Sequence, residues 1–132
     1  MFKTVVLAAS LAMAGTVSFA QDAQAPATDA PSPDAAVSAA KNQLGVLEYC
    51  VAQGHIEGDS VEIQTKMMEM LPAAQDQAAV DAAYEKGKEG TVSAMGVEQT
   101  LSDAATAQGA DEAALCGQLA QMVEQAGAQL PK

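Results

Sequence analysis

The chain has 132 residues, 49% of them hydrophobic but only 3% aromatic, and a formal charge of −11 at pH 7. That length permits one small domain. Six basic side chains against 17 carboxylates argue against nucleic acid and acidic lipid headgroups as partners, because phosphate backbones are bound by cationic neutralisation.

Residues 1–20 read as a secretory signal peptide. Lys3 supplies the positive charge, Val5 to Gly15 the apolar run, and Ser18-Phe19-Ala20 the small residues before a cleavage after Ala20. A membrane anchor takes about 20 apolar residues, so no stable membrane insertion of the mature chain is expected. Loss of Lys3 leaves five lysines against 17 carboxylates, a charge of −12. Export to the periplasm of a Gram-negative bacterium would place Cys50 and Cys116 in an oxidising compartment, where pairing is the default. The spacing contains no C-x-x-C redox motif, so the pair is read as a structural disulfide joining the first folded helix to the last.

Residues 21–33, QDAQAPATDAPSP, are Ala-, Pro- and Asp-rich and read as a disordered tether. A helical domain over 34–127 and a short tail, 128–132, follow. The first helix starts at Ser32-Pro33-Asp34, where serine caps, proline suits the first helical position and aspartate complements the dipole. Val37, Ala40, Leu44, Leu47 and Val51 draw its apolar stripe, which Cys50 borders, and Gly54 stops it. Asp59 and Glu62 form a D-x-x-E capping box for a second helix, Ser60 to Leu71. Ile63, Met67, Met70 and Leu71 share one face of it, and Pro72 ends it. A third helix is expected from Ala74 to Lys86, broken by Gly87 and Gly90. Thr91 to Thr100 fits no helical face; an ordered loop is favoured over a short β-hairpin turning at Met95-Gly96. Thr100 and Asp103 cap a fourth helix, Leu101 to Gln108, closed by Gly109. Asp111 caps a fifth, with Leu115, Leu119, Met122 and Ala126 in one apolar row and Cys116, Ala120 and Val123 in a second. The expectation is an all-α bundle of four to five helices closed by one disulfide.

Ala105, Gly109 and Leu115 stand where a helix-turn-helix has its small residue, turn glycine and buried aliphatic. Leu101 to Gln129 holds no Lys or Arg, and a recognition helix needs such donors, so the segment reads as a plain αα-corner. Met67, Met68 and Met70, with Leu71, are the candidate surface for a protein partner, since methionine adapts to irregular apolar surfaces. Met67, Met70 and His55 are a weaker Cu(I) candidate, because converging thioethers favour that ion. His55, the only histidine, has Glu57 and Asp59 nearby but no evident nucleophile, so no catalytic residue and no cofactor is expected.

In size, signal peptide, helix content and single disulfide, the plan is similar to small periplasmic helical proteins such as the HdeA-type acid chaperones and some secretion pilotins. No motif carries individual residues over. The expected function is a non-enzymatic periplasmic accessory protein that binds another protein through an apolar, Met-rich helical face. The alternative is an acid-stress chaperone: below about pH 3 most carboxylates protonate, the net charge turns positive and the bundle loosens. Cu(I) binding is the third reading.

Overall fold

Capping chemistry sets most of the boundaries in the computed structural model, which describes residues 32–131 apart from Met95. The expected signal peptide and nearly all of the expected tether lie outside the described residues. The element order is α1 (Pro33–Ala52), α2 (Asp59–Met68), α3 (Gln77–Lys88), β1 (Thr91–Ala94), β2 (Val97–Thr100), α4 (Leu101–Gln108) and α5 (Glu112–Gly127). Ser32, Thr100 and Asp111 each accept a bond from the backbone N–H three residues on, as their cap sequences predict. Gly109 leaves α4 in the left-handed region at φ 65°. Ala105 and Leu115 are buried on either side of it, which is the packing expected of an αα-corner.

Four expectations need correction. The chain is mostly helical rather than all-α, because Thr91 to Thr100 forms an antiparallel hairpin and not a loop. Its four-residue strands are too short to show much alternation, and Gly96, at φ 78°, supplies the positive φ that a tight turn requires. Asp59 is the first residue of α2, not its cap; Gly58 holds the cap position and makes no side-chain bond. α2 ends at Met68, and Leu71, which precedes Pro72 and is therefore disfavoured in the helical region, lies beyond it. Finally, α3 is capped by Asp76, whose carboxylate accepts from the Ala79 N–H at 3.1 Å, and it runs through Gly87 without a break.

Gly87 is inside a helix because another helix lies against it. A Cβ there would stand 2.2 Å from the Asn42 carbonyl oxygen, and one on Gly45 would stand 2.4 Å from the Tyr84 carbonyl oxygen. α1 and α3 therefore touch backbone to backbone, which only glycine allows. The contact brings the Asn42 side chain, 1% exposed, to the C-terminal part of α3 and to β1. Its Nδ2 donates to the carbonyls of Ala83 and Thr91, both at 2.9 Å, and its Oδ1 accepts from the Ser93 N–H at 2.8 Å. One buried amide thus satisfies itself and fixes the hairpin to the bundle.

The core is aliphatic. Val46, Leu47, Val80, Leu101 and Val123 are fully buried, and Cys50 and Cys116 sit among Val46, Leu101, Ala105 and Leu115. The two cysteines are bonded, with Cα atoms 5.7 Å apart, and join α1 to α5. α2 is less regular. Its buried residues are the polar Ser60 and Gln64, with Gln64 Nε2 donating to the Ala40 carbonyl at 3.0 Å. Ile63 of the expected apolar face fills the notch left by Gly127 on α5. Among the described residues no helix is long and apolar enough to cross a membrane.

Candidate functional site: an apolar groove beside an open strand edge

The hairpin register pairs Thr91 with Thr100, Val92 with Gln99, Ser93 with Glu98 and Ala94 with Val97. Because Asn42 bonds the Thr91 carbonyl and the Ser93 N–H, those groups point away from β2. Alternation then makes Val92–Gln99 and Ala94–Val97 the hydrogen-bonded pairs. The side chains of these four residues share one face of the hairpin, since the pleat has period two.

That face and helices α4 and α5 enclose an apolar groove of about 280 Å³. Leu101 and Leu115 belong to both the groove and the buried cluster that holds the disulfide. Val92, Val97, Leu119 and Met122 form its walls, and the glutamines Gln99, Gln108 and Gln118 are the polar lining. Among the described residues no charged one lines it. Val97 is 66% exposed and Met122 55%. The volume lies below that of most cofactor-sized sites and suits one or two large apolar side chains.

Of the two apolar rows expected on α5, the first leads into this groove. Leu115 is buried, Leu119 half-buried, and Met122 and Ala126 exposed. The buried row is the second, with Cys116, Ala120 and Val123. Spacing alone does not distinguish two adjacent apolar rows. The signal that was available is the pair of valines flanking Met95-Gly96, which a hairpin places on one face.

The methionine candidates lie elsewhere. Met67, Met68 and Leu71 are half-buried and Met70 is 59% exposed, so the four do not make one continuous exposed face. His55 precedes α2, whereas Met67 lies beyond two of its turns, a rise of about 12 Å from Asp59. The partner of His55 is on another element: its Nε2 lies 3.8 Å from Glu112 Oε1, at the start of α5. Glu57 and Asp59 form no ion pair with it among the described residues. The same Glu112 carboxylate, as hydrogen-bond acceptor, raises the pKa of the Tyr49 hydroxyl, helped by burial. Among the described residues no group of three or more His, Cys, Asp or Glu gathers to hold a metal ion.

Tyr84 gathers two of the lysines. Its hydroxyl donates to Glu48 Oε2 at 2.6 Å, and that bond, with burial and the carboxylate charges, pushes its pKa up to about 12. Lys41 and Lys88 place their ammonium groups 4.9 and 5.3 Å from the ring centroid. Lys86 bonds Glu98 across to β2 and holds that carboxyl below its usual range.

The chain matches no protein-family model, and no curated protein or solved structure matches it.

Proposed function

We propose that this chain is a non-enzymatic accessory protein of the bacterial periplasm that binds another protein through the groove between the hairpin and helices α4 and α5. One observation carries the reading: the groove is apolar and uncharged, yet its walls include Val97 and Met122, 66% and 55% exposed. Large exposed apolar side chains around a concavity characterise binding surfaces rather than ordinary solvent-facing ones. The buried disulfide agrees with an oxidising compartment. Met70, exposed at the C-terminal end of α2, is a secondary contact at most, because its neighbours Met67 and Met68 are half withdrawn.

Site-specific photo-crosslinking in intact cell envelopes tests this. A photoreactive residue replacing Met122 should give an adduct of one defined mass. The same residue replacing Glu124, exposed on another side of α5, should give none, and Val97→Asp should abolish the Met122 adduct. Equal crosslinking from both positions, or none from Met122, would overturn the assignment.

A further inference from the structure

We infer that the partner docks as an extended strand along the outer edge of β2, with apolar side chains alternating with basic ones. This rests on the groove being the binding surface and specifies what occupies it.

The two edges of the hairpin are treated differently. The outer edge of β1 is closed, since Asn42 takes its Thr91 carbonyl and Ser93 N–H. On β2 the register turns the backbone N–H and C=O of Glu98 outward, and they bond to no other described residue. A shallow groove follows this edge, lined by Thr91, Val97, Glu98, Gln99, Thr100 and Asp103. An unpaired strand edge is a template for another strand, and strand addition supplies main-chain bonds while alternate side chains enter pockets.

Side chains of an added strand fall on two faces. One face continues that of Val97 and Gln99 and meets the apolar groove. The other continues that of Thr100 and of Glu98, whose carboxylate Lys86 already pairs, and meets Asp103, which forms no ion pair among the described residues and is the carboxylate left for a basic side chain. The apolar–basic alternation follows from these two surfaces and from the charge of −11. A second copy of the chain fits poorly: pairing β2 with β2 about a two-fold axis would crowd two Lys86–Glu98 pairs onto one face of the ladder and supply no basic side chain to Asp103.

The probe is a synthetic nine-residue peptide of alternating valine and lysine, titrated into the oxidised protein by calorimetry and by NMR. Controls are a block-ordered peptide of the same composition and one with glutamate for lysine. The alternating peptide should bind and protect the Glu98 amide from hydrogen exchange, and both controls should fail. Glu98→Pro removes the outward N–H without touching a ladder bond, so it should weaken binding by about tenfold relative to Glu98→Gln, the value of one such hydrogen bond. Equal binding of the block-ordered peptide, or an unprotected Glu98 amide in the wild-type complex, overturns strand addition. So does a wild-type dimer that Glu98→Pro dissociates, which would make the occupant a second copy. Failure of the groove itself reads differently: Val97→Asp and Met122→Asp would then leave peptide binding unchanged.

Discussion

Asn42→Ala should loosen the hairpin and destabilise the whole domain. The side chain makes three bonds, and they differ in value. The Ala83 carbonyl lies inside α3, where the N–H four residues on is already its helical partner. The Thr91 carbonyl and the Ser93 N–H face away from β2 and would be left without a partner on a half-buried strand. Taking about 1 kcal/mol for each bond, and somewhat more for the two orphaned groups, gives a loss of about 3 kcal/mol. That is a large share of the 5–15 kcal/mol, roughly, that holds a small domain. Urea unfolding of the oxidised protein measures it, and hydrogen exchange at the Ser93 amide localises it. Asn42→Asp is the companion. It keeps the acceptor for Ser93 but sets a carboxylate oxygen against two carbonyls, which raises its pKa in the folded state. The folded protein then holds a proton that the unfolded chain releases. Stability of this variant should therefore rise as pH falls through the raised folded value toward the ordinary value of about 3.9. An Asn42→Ala variant that loses under about 1 kcal/mol and keeps Ser93 protected would refute the placement of this amide.

Three other outcomes follow from the same geometry. Removing the Cys50–Cys116 bond, which closes a separation of 66 residues, should cost about 4 kcal/mol in the chain-entropy picture, read as a shift of the urea midpoint and a change in gel mobility with reductant. Gly87→Ala should destabilise, because overpacking against the Asn42 carbonyl costs roughly 1–3 kcal/mol and outweighs a helix-propensity gain of at most about 1 kcal/mol. Gly117→Ala, where a Cβ meets open space, should instead stabilise by that propensity gain, so equal effects at the two glycines would contradict the α1–α3 contact. Absorbance titration should show Tyr84 ionising near 12, and Glu48→Gln should return it toward its ordinary value. Since this pKa is raised in the folded state, its contribution is complete below pH 10, the unfolded value, and is lost as pH climbs toward 12.

The caps and the disulfide were legible because they are local or nearly forced: Ser32, Thr100 and Asp111 announce helix starts within three residues, and two cysteines admit one pairing. The α1–α3 crossing was hidden. Gly87 looks like a helix breaker until the backbone of Asn42 is laid against it, and no local pattern marks Asn42 itself as the residue that bonds two distant elements. On α2 the sequence groups Ile63, Met67, Met70 and Leu71 on one apolar face, yet Ser60 and Gln64 are the buried residues. Small and amide side chains fit the narrow approach to α1, a requirement set by the neighbouring helix and not by α2. The hairpin was ambiguous for a related reason, since one bridging amide outside the segment holds β1 in place.

The groove follows from unequal lengths. α5 carries two apolar rows along 16 residues, about 24 Å of helix, while α4 has eight residues and about 12 Å. The row of Cys116, Ala120 and Val123 faces the bundle and stays covered throughout, with α2 packing back along α5 as far as Gly127. The row of Leu115, Leu119 and Met122 has only α4 and two four-residue strands beside it, and its burial fades from 7% exposure at Leu115, through a half-buried Leu119, to 55% at Met122. A ligand that completes the layer must therefore lie over the second half of α5, next to β2, because the first half is already occupied. Occupancy should cover Leu119 and Met122 strongly and Leu115 hardly at all, and a ligand that altered all three alike would have to displace the hairpin rather than extend it.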